Sequence, residues 1–226
     1  MNVAGLTIDI ERCPDGVHRV DVPEGGYDGR GGTIYRYRTL RWETERITLA
    51  DLESPIVVAF VNAVDDEQRQ RFFERFGLPK LTPWWHERHP KVWIYGNLHP
   101  EIHRDDILRD QMLFGELLQN AGGNDPAAAI ETVNSAFERP DEFDLKPTFH
   151  LAGPNGTPRM LLKCKSLIGF MLAETAMIAT HGARVAKCEK CDIIFLTGPL
   201  TWRRSSARFC SDRCRVAANR AKQVGA

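Results

Sequence analysis

The chain has 226 residues, 42% hydrophobic and 27% charged, the composition of an ordinary globular protein with a sizeable core and no repeats or low-complexity tracts. Thirty basic and thirty acidic residues cancel, but from Ala183 to Ala226 ten Lys/Arg face three acids, leaving a tail of net +7 on a body of net −7. The longest apolar stretch, Leu167 to Thr180, is interrupted by Glu174 and is too short to span a bilayer, which argues against a membrane partner.

Met1 to Ile10 lacks the charged and apolar regions of a secretory signal, so a cytoplasmic setting is expected. Thiols stay reduced there, and paired cysteines suggest metal more than disulfides.

Residues 1 to about 50 read as strand-rich, because Leu6–Ile10, His18–Val22, Thr33–Tyr37 and Thr39–Thr48 alternate or are β-branched. Gly25, Gly26, Gly29, Gly31 and Gly32 punctuate a loop that fits neither phosphate-binding fingerprint. Ser54-Pro55 reads as an N-cap and first helical residue, opening a helix through Ala63. The β-branched Ile56, Val57, Val58 and Val61 keep a buried strand as the competing assignment. Asp65 and Gln68 form a capping box for a second helix, with Phe72, Phe73 and Phe76 on its apolar face and Gly77 at its end.

Pro79 to Asn97 is aromatic and proline-punctuated, with Trp84, Trp85, Trp93 and Tyr95; ordinary packing and a pocket in the body are the two readings. Pro100 starts a long helix to about Gln119, with Ile107, Leu108, Leu113, Leu117 and Leu118 inward. Glu101, Asp105 and Asp106 then read as first-turn helix charges, not acid/base catalysts. Asp125-Pro126 caps a helix through Arg139, and residues 146–163 form a hairpin turning at Gly153 to Gly156. Ser166 opens the apolar helix Leu167–His181 at the centre of the core, and Gly182 closes it.

His86, His89, His99 and His103 bring four histidines close in sequence. Pro90 excludes a helical zincin motif, leaving solvated or aromatic-packed histidines, with a second metal site as the alternative. No nucleophile elbow, catalytic Cys/His pairing or nucleotide fingerprint occurs, so the chain is not expected to be an enzyme.

The last forty residues carry the sharpest signal. Cys188, Cys191, Cys210 and Cys214 follow C-x2-C, eighteen residues, C-x3-C, two closely spaced pairs that can surround one Zn2+ as a closed, structural site. Lys187 to Cys191 reads as a knuckle, Ile193–Leu196 and Ala207–Phe209 as two short strands, and Ser211 as the N-cap of a helix holding Cys214. Cys13 reads as a surface thiol and Cys164 as a core residue. On the last helix Cys214, Ala217, Ala218 and Ala221 share one stripe, while Arg215, Asn219 and Lys222 line one flank and Arg213 and Arg220 the other. Trp202-Arg203-Arg204 forms a cationic loop tip with Arg208 beside it.

From Cys188 to Lys222 the sequence resembles the CGNR-type zinc fingers at the C-termini of bacterial proteins of presumed regulatory function. The residues that carry this are Cys188-Glu189-Lys190-Cys191, Phe195, Trp202-Arg203-Arg204, Arg208-Phe209-Cys210-Ser211, and Cys214 with Asn219-Arg220-Ala221-Lys222. Asp51 to Pro55, Phe60-Val61-Asn62 and Phe76-Gly77-Leu78 resemble a segment upstream of such fingers. The naming tetrapeptide is absent, because Arg215-Val216-Ala217 follows Cys214, which points to a divergent or sister group. The resemblance implies a treble-clef fold, duplex DNA as partner and a role in transcription control.

The expectation is therefore an α+β body over 1–183, with ligand sensing or dimerisation as candidate roles, and a zinc finger over 184–226. One small finger covers little DNA, so a homodimer is expected to be needed for sequence specificity. The alternative is a protein-interaction adaptor whose finger docks on a partner or on its own acidic body, and a purely scaffolding finger stays open beside both.

Overall fold

Alternation, caps and glycines decide where the elements fall. The computed structural model describes residues 6–23, 31–39, 41, 43–48, 52, 54–78, 101–138, 145–152, 157–164, 166–199, 201 and 203–224. They build an α+β fold. The glycine loop before Gly31, the aromatic stretch Pro79 to Asn97, the 153–156 turn, His86, His89, His99 and Trp202 lie outside them.

The amino-terminal strands are β1 (Leu6–Arg12), β2 (Val17–Val22), β3 (Gly32–Tyr37) and β4 (Glu43–Thr48). β4 is shorter than the expected Thr39–Thr48. The Thr39 hydroxyl donates to Asp15 at 2.6 Å and accepts from the Arg41 N–H at 3.3 Å, a local side-chain pattern that competes with the ladder. With β5 (Glu101–His103), β6 (Leu145–Ala152) and β7 (Thr157–Cys164), two body sheets form. Their orders are β4-β1-β7-β6, parallel only between β1 and β7, and β2-β3-β5, antiparallel throughout.

β5 corrects the expected helix start at Pro100. Ile102 pairs with Tyr35, and the Arg36 Nε donates to the Glu101 carboxylate at 2.9 Å, so sheet pairing claims these residues first. Asp105 and Asp106 do lie in the first turn of the helix that follows, and His103 is buried at its N-cap.

The first helices are α1 (Ile56–Val61), α2 (Asp66–Phe76) and α3 (Arg104–Gln119). A five-residue π turn (Asn120–Asn124) joins α3 to α4 (Pro126–Phe137), and α5 is Leu167–Thr180. At α2 the Asp65 carboxylate accepts from the Gln68 N–H at 2.7 Å, the Gln68 side chain accepts from the Val64 N–H at 2.9 Å, and Gly77 ends the helix at φ 78°. Asp125 and Ser166 cap α4 and α5 as read, accepting from the Ala128 and Gly169 N–H groups at 3.0 Å each.

α1 is a helix, but Ser54 does not cap it. Its first two N–H groups, on Ile56 and Val57, donate instead to the carboxylate of Glu174, which is 1% exposed in the middle of α5. Leu113, expected inward, is 47% exposed, because the buried stripe of α3 runs through Ile107, Gln111, Phe114 and Leu118. Gln111 is buried among apolar side chains because its amide donates to Phe60 and Ala63 carbonyls at the end of α1, at 2.7 and 2.9 Å.

Cys13 is also corrected: it is 3% exposed, with its sulfur 3.3 Å from the Thr39 hydroxyl. Cys164 is buried, as read. No described helix is long and apolar enough to cross a membrane.

A last hairpin, β8 (Arg184–Lys187) with β9 (Ile194–Thr197), leads into the cysteine-rich end and is seated on the body. Leu196 and Ala183 belong to the body's core. The backbone of Gly122 lies so close to β8 that a Cβ there would come within 2.6 Å of the Val185 nitrogen. On β9, Asn62 takes both backbone groups of Ile194.

Candidate metal centre

The knuckle is the turn of the β8–β9 hairpin. The Cys188 N–H donates to the Ile193 carbonyl at 2.9 Å and the Asp192 N–H to the Cys188 carbonyl at 3.0 Å. Asp192 closes the turn with φ 59°, a left-handed conformation that aspartate tolerates better than most residues. The expected strand Ile193–Leu196 is present, shifted by one residue, as β9, but its partner is β8 and not the expected strand Ala207–Phe209. The six residues from Cys188 to Ile193 bring β8 against β9 at little cost in loop closure, whereas Thr197 to Ser206 must bridge a longer gap. Ala207 to Phe209 is irregular, tied to the knuckle by the Glu189 N–H donating to the Arg208 carbonyl at 3.2 Å.

The chain then enters α6 (Asp212–Val224). The Ser211 hydroxyl accepts from the Cys214 N–H at 3.3 Å, as expected of an N-cap, and its carbonyl starts the helix by accepting from Arg215. The helix start fixes Cys214, the knuckle fixes Cys188 and Cys191, and the loop end delivers Cys210.

All four sulfurs lie within 4.8 Å of one another. Cys191 to Cys210 is 3.5 Å, and Cys210 to Cys214 and Cys214 to Cys191 are 3.6 Å each. A tetrahedral thiolate site with metal–sulfur bonds of about 2.3 Å puts sulfurs about 3.8 Å apart, whereas a disulfide needs about 2.05 Å. The spacing therefore fits four ligands around one ion. Cys188 is fully buried, Cys210 and Cys214 are half-buried, and Cys191 is exposed.

The electrostatics point the same way. Burial works against ionising Cys188, but backbone N–H groups of Cys210, Lys190 and Cys191 outweigh it and bring that thiol down to about 6. Cys210 is pushed up to about 12, first by burial and then by the neighbouring thiols. One thiolate forms readily and later ones meet its charge, a penalty that a cation at the centre removes.

The basic residues divide into two groups. Arg203 is occupied within the module: it donates to the Cys210 carbonyl at 2.7 Å and lies over the Phe195 ring at 5.6 Å. Arg208 is paired with Glu189. Arg204, Arg213, Arg215, Asn219 and Arg220 are exposed, and Arg215 reaches Asp212 at 3.0 Å one turn back. Cys214, Ala217 and Ala218 are half-buried as the stripe predicts, although Ala221 is exposed. Lys222 lies in α6, with its side chain outside the described residues.

Asn62, Glu174 and Gln111, which hold this module and α1 in place, were not legible as site residues. The available signal was a polar residue inside an apolar run, most plainly Glu174. Comparison with protein-family models, curated proteins and solved structures finds no match for this chain.

Proposed function

We propose that this protein is a DNA-binding regulator whose C-terminal module is a structural zinc finger of the CGNR-like, treble-clef kind. Zinc is the ion that four thiolates and a closed tetrahedron favour, since hard cations prefer oxygen ligands. With all four positions taken by the protein, the metal's role is to hold α6 and the 198–206 loop in place.

The observation that carries the DNA reading is the placement of α6. Cys214, Ala217 and Ala218 of its small-residue stripe are half-buried, while Arg213, Arg215, Asn219 and Arg220 stand exposed on both flanks. Arginines so placed can meet phosphates, and Asn219 can reach a base edge. The +7 tail supplies the electrostatic footprint. The ion pairs of Arg208 and Arg215 are with Glu189 and Asp212 of the module itself, which speaks against docking on the acidic body.

The test is fluorescence anisotropy with labelled duplex DNA across a salt series. Binding is expected to weaken steeply with salt, by about 0.9 log units per tenfold salt for each phosphate contacted. Replacing Arg213, Arg215 and Arg220 together with alanine is expected to abolish binding and leave metal content unchanged. A triple variant that binds as tightly as the parent sinks this reading. An adaptor role is the second reading, favoured by the exposure of Ile193 and Val216 beside the cysteines; loss of a protein partner on their replacement, with no DNA binding by the parent, would establish it instead.

A further inference from the structure

Two of the four thiols, Cys188 and Cys191, sit on a hairpin that the body holds, and the other two arrive on the loop and α6. Asn62 is where the body grips that hairpin. Its Nδ2 donates to the Ile194 carbonyl at 2.7 Å and its Oδ1 accepts from the Ile194 N–H at 2.8 Å. One side chain thus supplies the paired bonds that a neighbouring strand would give.

Asn62 is itself held firmly. It ends α1, with its N–H on the Val58 carbonyl at 3.2 Å. The carbonyls on either side of it, Phe60 and Ala63, are taken by Gln111, and the Val64 carbonyl by Arg69 at 2.8 Å. At the opposite end of α1 the buried Glu174 takes both leading N–H groups. On the hairpin side, Ile194 is three residues beyond Cys191, and its neighbour Ile193 accepts from the Cys188 N–H. The position of Ile194 therefore sets where both knuckle thiols stand.

We propose that Asn62 is a positioning residue through which the body sets the metal knuckle, so that metal binding and the body's fold stabilise each other. This rests on the metal reading of the four cysteines and not on DNA binding. An ion that joins the body-held knuckle to Cys210 and Cys214 fixes α6 relative to the body, and the body's state is then read directly by the basic helix.

The experiment is thermal unfolding of the full chain, with and without chelator, followed by far-ultraviolet circular dichroism. α1 to α5 lie in the body and α6 alone in the module, so the helical signal reads chiefly the body. In the metal-loaded parent, chelation is expected to lower the body's transition, because an ion bound only by the folded state stabilises whatever is coupled to it. In Asn62→Ala the same treatment is expected to shift the transition by roughly half as much or less, the signature of two coupled sites in a double-perturbation cycle. The cobalt-substituted variant is expected to keep the parent's thiolate–cobalt absorption, since no ligand is changed.

An equal chelator shift in parent and variant overturns the proposal. If Asn62→Ala does not fold, Asn62→Asp takes its place: it keeps an acceptor for the Ile194 N–H, loses the donor, and sets a carboxylate against the Ile194 carbonyl. An undiminished shift there overturns the proposal equally. Metal content of the parent separates the two readings. A chain that takes up no metal sinks both, whereas a metal-loaded chain with an undiminished shift sinks only the role of Asn62.

Discussion

Glu174, in the middle of α5, accepts a 2.7 Å hydrogen bond from the backbone N–H of Val57 and a 2.9 Å bond from that of Ile56. A carboxyl group in the core thereby caps a six-residue helix contributed from far away in sequence. Burial pushes its pKa up to about 8, against the pull of the two N–H groups. The folded state therefore holds this proton more tightly than the unfolded chain does. Its stabilising contribution is complete below the unfolded value near 4.5 and is lost as pH rises towards 8. Glu174→Gln keeps one acceptor and turns an amide towards the other N–H, so at pH 5 it is expected to cost about 1–3 kcal/mol. The gap to the parent is expected to narrow from pH 5 to pH 8. Urea midpoints of both proteins across that range check this, and a gap that is flat or widens contradicts it.

Gly122 gives a packing prediction. A Cβ there would meet the Val185 backbone nitrogen at 2.6 Å and its Cγ2 at 2.5 Å, and backbone cannot step aside as a flexible side chain can. Gly122→Ala is expected to destabilise by about 1–3 kcal/mol, the usual range for overpacking. At Gly123 nothing lies within 4 Å, but φ is 139°, so alanine there meets backbone strain without a clash. Both variants lower the urea midpoint, but only Gly122→Ala is expected to weaken metal retention, because it lifts β8 and the knuckle that follows.

The thiols can be told apart chemically. Cys13 and Cys164 are buried in the body, and burial first, then Glu174, pushes the Cys164 thiol up to about 12. The metal-loaded protein is expected to react slowly with a thiol reagent at all six positions. Chelation should then make the clustered thiols reactive, the exposed Cys191 ahead of the buried Cys188, and serine at Cys188, Cys191, Cys210 or Cys214 should abolish metal uptake. Serine at Cys13 or Cys164 should leave one ion per chain. Thiol counting together with elemental analysis reads all of this, and fast reaction of the loaded protein would contradict it.

Local signals carried well from sequence to structure. The caps at Asp65, Asp125 and Ser166, the 146–163 hairpin (strands Leu145–Ala152 and Thr157–Cys164) and the convergence of four cysteines all depend on residues close together in the chain. What failed depends on distant partners. Ser54 had the right chemistry for a cap, but Glu174, more than a hundred residues away, took the N–H groups. Glu101 to His103 follow a proline that suits a helix start, but β3 offered pairing. Cys13 looked peripheral until Thr39 closed over it. Asn62 belonged to a segment already singled out, and only the fold reveals that its amide reaches Ile194.

Arg203 and Arg213 look equivalent in a list of basic residues, and the structure gives them different work. Arg203 donates to the carbonyl of Cys210, a metal-site residue, and stacks over Phe195, which is buried on β9. Its guanidinium thus braces the loop that delivers the third thiol. Arg213 is exposed, with no ion pair among the described residues. Arg203→Ala is therefore expected to weaken metal retention and to cost stability by about 1–3 kcal/mol, the range for losing a charge-assisted hydrogen bond. Arg213→Ala is expected to leave both within about 0.5 kcal/mol, as for most surface changes, while lowering DNA affinity and the steepness of its salt dependence. Competition with a coloured chelator reads the first effect and anisotropy the second. If Arg203→Ala retains metal like the parent and weakens only DNA binding, its contact with Cys210 is incidental, and Arg203 belongs with the exposed arginines of the proposed DNA-binding face.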